Sequence, residues 1–187
     1  MHVALILFDG LTMLDFIGFY DPLTRLKSMG YLPKLQWSTC ATSDEVADTH
    51  GLKIKVSTVL PDLADFDLIF LPGGLGTRDL LENQDFILWL KSAEKVPLKT
   101  SVCTGSLLLG AAGFLEDKRA TTHFDHYDQL KPFCKTVVER DIVDDNNVIT
   151  AGAVSTSLDL GLYLCEKIAG ADAKNVISKR IAYSGKV

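Results

Sequence analysis

Strand-length runs alternate with helix-patterned stretches along most of this 187-residue chain. That alternation restricts the fold more than any other feature. VALILF (3–8) is continuously apolar over the length of a strand, as expected for a strand covered on both faces. LQWSTCAT (35–42), DFDLIFLPGG (65–74) and LKTSV (98–102) read as further strands, the third ending in a Pro-Gly-Gly turn. GLKIKVSTVL (51–60) alternates at period two and predicts a strand or hairpin arm with one wet face. KRATTH (118–123) predicts a short strand, and residues 137–152 a hairpin turning at Asp145-Asn146-Asn147.

Between these runs lie the helices. Asp21-Pro22 has the form of an N-cap followed by a first helical residue, opening a helix that Gly30 stops. TRDLLENQDFILWLKSAEK (77–95) is amphipathic, with Leu80, Leu81, Ile87, Leu88 and Leu90 as the expected apolar stripe. A helix starts just after Cys103, and 155–170 and 172–183 read as helical. Strands separated by helices require parallel crossovers, so the expected architecture is a doubly wound α/β sandwich: a mostly parallel sheet with helices on both faces. Residues 1–187 read as a single domain without an internal repeat.

Composition narrows the function. A net charge of -5, with Lys and Arg nowhere gathered into a stripe, excludes nucleic acid as the expected partner. No stretch approaches the roughly 20 apolar residues of a membrane span. The opening MHVALILFDG is too short an apolar run for a signal peptide. The four cysteines are widely spaced without a CxxC pair, which suits reduced thiols and a cytoplasmic location. His123 and His126 are the one close histidine pair, and nothing completes a metal set, so no metal is expected.

Cys103 stands where the strand LKTSV turns into a helix, in KTSVCTGSLLLGAAG (99–113). Ligands of doubly wound sheets sit at the carboxyl ends of the strands. A strained strand-to-helix turn can push a nucleophile into the open. Gly105, without a Cβ, lets the helix start fold under the thiol, and the small Thr104 and Ser106 keep the approach clear. Unpaired N–H groups at a helix start lower a thiol below its usual ~8.5, which predicts an exposed, ionised Cys103. Cys40, inside a strand, and Cys165, inside an apolar helix, have the positions of buried structural residues.

SVCTGSLLLGAAGFLEDKRATTH (101–123) and the upstream DLIFLPGG (67–74) resemble the ThiJ/PfpI superfamily. Within it, the Cys-Thr-Gly elbow, RATTH and LTMLDFIG (11–18) are most similar to the isonitrile hydratase branch. The resemblance covers residues 3–183 and implies a flavodoxin-like sandwich, no cofactor and a homodimer. It implies that Asp15 hydrogen-bonds the cysteine. A carboxyl beside a thiolate has its pKa raised, so Asp15 is expected to hold a proton and act as general acid. It also implies an oxyanion site from the N–H groups of Gly74 and Thr104 at the Gly73-Gly74 turn, a functional Thr104, and His123 near the mouth. His126 is expected at the surface. Phe19, where the branch carries proline, and the shorter C-terminus are expected to reshape that mouth.

The function implied is a cysteine-dependent lyase that hydrates isonitriles to N-substituted formamides. Cys103 attacks the isonitrile carbon, Asp15 supplies the proton, and water releases the product from a thioimidate. The partner is a small electrophile. Glyoxalase or deglycase chemistry on α-oxoaldehydes is the enzymatic alternative, and oxidative-stress sensing through Cys103 the non-enzymatic one. Thr104 stands where the peptidase-like branch has histidine, so a Cys-His peptidase lacks its base. A ligand-sensing module of a DNA-binding regulator is disfavoured, since no second domain is visible.

Overall fold

The computed structural model describes residues 1–185. Its strands in chain order are β1 (His2–Ile6), β2 (Gln36–Ala41), β3 (Glu45–Ala47), β4 (Lys53–Lys55), β5 (Thr58–Val59) and β6 (Leu68–Leu71). They continue with β7 (Leu98–Val102), β8 (Arg119–Ala120), β9 (Thr136–Val137), β10 (Ile142–Asp145) and β11 (Val148–Ala151). A seven-stranded sheet runs β10-β11-β7-β6-β1-β2-β5, parallel throughout except for β10 against β11. The chain builds outward from β1 to β2 and β5, then returns to β6 on the other side and continues to β7. The strand order therefore reverses between β1 and β6, where doubly wound sheets bind ligands.

The helices are α1 (Met13–Ser28), α2 (Thr77–Glu82), α3 (Gln84–Lys91), α4 (Gly105–Ala111), α5 (Tyr127–Leu130), α6 (Thr156–Ala169) and α7 (Ala171–Arg180). One layer packs α1 on α6 and α6 on α7, and the other gathers α2, α3 and α5 around α4. Every residue of β6, and all of β1 after His2, is buried, as their unbroken apolar runs require. Lys99, the second residue of β7, is also buried. Its ammonium donates to the carbonyls of Val96 (2.8 Å) and Glu94 (3.0 Å) and lies 4.9 Å from the Phe114 ring centre. No helix among the described residues is long and apolar enough to cross a membrane.

Several sequence expectations need correction. The first helix does not start at Asp21-Pro22: it starts at Met13 and carries Pro22 inside. Asp21 instead takes both Nε and Nη2 of Arg25 one turn on, at 2.7 and 3.0 Å. Proline is compatible with several helix positions, so an Asp-Pro pair marks a start only when nothing upstream can form a turn. The 77–95 helix breaks at Asn83, whose extended backbone places its side chain to accept the Phe86 N–H at 3.0 Å. That break shifts the apolar phase, so Phe86 and Leu90 are buried while Leu88 is 69% exposed.

The 51–60 stretch divides between two short strands. β4 pairs antiparallel with β3, and β5 joins the sheet edge. In RATTH only Arg119 and Ala120 are strand, pairing with β9. The β10–β11 hairpin turns at Asn146 and Asn147, the former at φ 62°. Gly30, at φ 82°, follows the end of the first helix as expected.

Candidate active site

Cys103 follows the last residue of β7 and has φ 55°, a left-handed conformation that a non-glycine residue rarely adopts. Such strain is of order 1–3 kcal/mol and persists only where the surroundings hold it. Here they do. The Cys103 N–H donates to the carbonyls of Gly152 (2.7 Å) and Ala151 (3.0 Å) at the end of β11. Its own carbonyl accepts the hydroxyls of Thr122 (2.9 Å) and Ser106 (3.1 Å). Thr122 thus leaves the RATTH strand to brace the elbow.

Two glycines let the backbones close around the thiol. A Cβ on Gly73 would lie 2.7 Å from both Cys103 Cβ and the Thr104 nitrogen. One on Gly105 would lie 2.5 and 2.6 Å from the Leu71 and Pro72 carbonyl oxygens. No real side chain fits either gap.

Asp15 lies in the first turn of α1, beyond the end of β1, and is fully buried. It does not cap its own helix; Thr12 occupies that position. Its Oδ2 accepts the Gly73 N–H at 2.8 Å, and Oδ1, also buried, has no well-formed hydrogen bond. Burial pushes the carboxyl up to about 7, and the Gly73 N–H and an interaction with the Cys103 thiol partly oppose this. The expected raised acid beside the cysteine is therefore in place.

The state of the sulfur differs from expectation. Cys103 is 6% exposed, and burial pushes its thiol up to about 12, reinforced by the nearby Asp15 charge. The Thr104 N–H and hydroxyl act in the opposite direction but do not win. α4 spans only Gly105–Ala111, and its start cannot offset desolvation and an adjacent carboxylate together. The pair thus holds its first proton on sulfur, and Asp15 is the group that titrates near neutrality. Cys40 and Cys165 are buried, the latter donating to the Pro22 carbonyl.

The glycine turn differs as well. Gly73 gives its N–H to Asp15, and Gly74 gives its own to Thr104 Oγ1 at 3.0 Å. Of the two donors expected at the sulfur, the Thr104 N–H remains. Thr104 Oγ1 also lies 3.1 Å from Thr77 Oγ1, which donates to the Gly74 carbonyl at 2.8 Å. This threonine cluster fixes the turn.

A pocket of about 180 Å³ opens over the thiol, bounded by Thr104, Leu107, Arg78, His123, His126 and Val154 among others. His123 is half-buried there, and its Nδ1 accepts the Asp125 N–H at 3.2 Å. His126 also lines it, contrary to its expected surface role, with Nδ1 3.0 Å from Gln129 Oε1. Arg78 and Gln129 carry no motif; their place in the chain, just past Pro-Gly-Gly and just past His126, was the available signal. Phe19 does not shape the mouth: it is fully buried and stacked on Phe70, with ring centres 3.8 Å apart. Residues 186 and 187 lie outside the described residues, and with them part of the expectation about the C-terminus. Among the described residues no group of His, Cys, Asp and Glu side chains could hold a metal.

The family model for the DJ-1/PfpI family matches residues 1–167. An isonitrile hydratase from Pseudomonas putida is 33% identical over 185 residues, 98% of this chain and 79% of that protein. DJ-1 homolog A from Arabidopsis thaliana is 31% identical over 69% of this chain and 34% of its own length. A ThiJ/PfpI family protein from Pseudomonas syringae superposes with a TM-score of 0.87 at 28% identity, over 100% of this chain and 76% of that one. DJ-1beta from Drosophila melanogaster shares the fold at TM-score 0.84 and 23% identity, over 98% of each chain.

Proposed function

The chain belongs to the DJ-1/PfpI family, and from that premise we propose that it hydrates isonitriles to N-substituted formamides, using Cys103 as nucleophile and Asp15 as proton carrier. The observation that carries this reading is the buried Asp15 carboxyl beside the elbow thiol, with one oxygen held by the Gly73 N–H and the carboxyl interacting with Cys103. The similarity to an isonitrile hydratase over almost the whole chain supports the choice of substrate.

Because the thiol holds its proton, Asp15 must start as a carboxylate. It takes the Cys103 proton as sulfur bonds to the terminal carbon of R–N≡C, then returns that proton to the same carbon. The product is the thioimidate R–N=CH–S–Cys103. Water next adds to this carbon, and one of its protons passes through Asp15 to nitrogen. The C–S bond then breaks, the remaining hydroxyl proton returns to sulfur, and R–NH–CHO leaves. One water is consumed per turnover and no electrons are exchanged. The Thr104 N–H stabilises sulfur whenever it carries charge, and positioned proton transfer contributes about 10²–10⁴ in rate.

The test is a panel in which cyclohexyl isonitrile and methylglyoxal are each followed by NMR with wild type and Cys103→Ala. Formamide production that Cys103→Ala abolishes supports the reading. Turnover of methylglyoxal alone overturns it in favour of glyoxalase chemistry. The family premise also carries the expectation of a cytoplasmic homodimer, which light scattering tests for assembly.

A further inference from the structure

An isonitrile reacts at its terminal carbon. With that carbon on Cys103, the nitrogen substituent must point away from sulfur, toward the mouth of the pocket. The residues around the mouth are therefore the ones that choose among isonitriles.

Arg78 is exposed on the first turn of α2 and lines this pocket. Among the described residues its guanidinium has neither an ion pair nor a hydrogen bond, although Asp79 adjoins it in sequence. His123 and His126 line the same space. The Nδ1 of His123 accepts a backbone N–H, so in the neutral ring the hydrogen sits on Nε2, which makes that atom a donor. No aspartate or glutamate is among the described residues lining the pocket. That is a strong local bias in a chain of net charge -5. Asp15 lies behind the thiol, its Oδ2 accepting the Gly73 N–H, and Asp125 lies outside the lining beside His123.

A neutral, apolar substituent would use none of these groups. The geometry points to a substrate class for the site: small isonitriles whose nitrogen substituent ends in a carboxylate, recognised by Arg78. A guanidinium fork matches the two oxygens of a carboxylate, and such charge-assisted pairs are about twice as strong as neutral ones. Asp15 does not repel this substrate at close range, because the carboxylate sits at the opposite end of the molecule from the reacting carbon. The inference rests on the isonitrile reading above and adds to it a specificity-determining residue.

Isocyanoacetate and its methyl ester test it, since they share the reacting carbon and differ in the charge. The wild type is expected to show the lower KM for isocyanoacetate. Arg78→Gln should reduce the acid-to-ester ratio of kcat/KM by about tenfold or more, through KM, with Arg78→Lys in between. Equal handling of acid and ester by wild type, or an unchanged ratio in Arg78→Gln, overturns the inference and leaves isonitrile hydration standing. If neither compound is hydrated, that reading fails. Binding to Cys103→Ser, followed by amide chemical shifts, then decides the inference alone. Tighter binding of isocyanoacetate than of ester, weakened about tenfold by Arg78→Gln, supports anion recognition; equal binding overturns it.

Discussion

The Thr122 hydroxyl donates to the Cys103 carbonyl at 2.9 Å, linking the segment after β8 to the strained residue at the elbow. Thr122→Val keeps the shape of this buried side chain and deletes the donor. The carbonyl retains Ser106 at 3.1 Å, so urea unfolding should show a loss of about 1 kcal/mol rather than collapse of the elbow. Formamide production should persist at a reduced rate.

Asp15 titrates near 7 because burial outweighs its hydrogen bonds, and the proposed first step needs it as a carboxylate. The pH profile of kcat/KM for isonitrile hydration should therefore rise with pH through about 7 and then level off. Asp15→Asn should lower kcat/KM by roughly 10²–10⁴ and remove that limb. An unchanged limb in the variant would assign it to another group.

The same carboxyl makes stability depend on pH. Its folded pKa of about 7 lies above its ordinary value of 3.8, so between those values the native state holds a proton that the unfolded chain has released. The stability this carboxyl contributes falls as pH rises across that window and stops falling above it, by roughly 4 kcal/mol at 1.36 kcal/mol per unit. Asp15→Asn has no proton to lose. Its stability relative to wild type should therefore increase steadily from about pH 4 to about pH 8, as measured by urea unfolding at each pH.

Gly73 has no room for a Cβ beside Cys103 Cβ and the Thr104 nitrogen. Gly73→Ala must displace backbone, because neither contact is a flexible side-chain tip. We expect about 1–3 kcal/mol of destabilisation and a loss of activity well beyond that of Thr122→Val, measured by urea unfolding and NMR rate assays.

The sheet was legible because buried parallel strands write themselves as continuous apolar runs: VALILF and DLIFL hold no competing signal. The Cys103 elbow was legible from position, and Asp15 through resemblance to related sequences. Two kinds of feature were not. Helix limits depend on which of several compatible caps wins, and Asp21-Pro22 lost to Thr12 because residues 13–21 could already form a helix buried against α6. The ionisation of Cys103 was misjudged because desolvation is a tertiary quantity: a local pattern shows the helix start that favours the thiolate, but not the burial and the Asp15 charge that oppose it. Arg78 and His126 were missed as pocket residues for a related reason. Their meeting over the thiol is set by how α2 and the 123–130 segment pack around α4.

The proposed hydration passes through a covalent bond between Cys103 and the substrate carbon. Mixing the protein with excess isonitrile, quenching in acid within one turnover and measuring intact mass reads that bond. Wild type should gain the mass of one substrate molecule, mapped to the Cys103 peptide, while Cys103→Ala gains none and forms no formamide. Formamide produced at the wild-type rate by Cys103→Ala would contradict it.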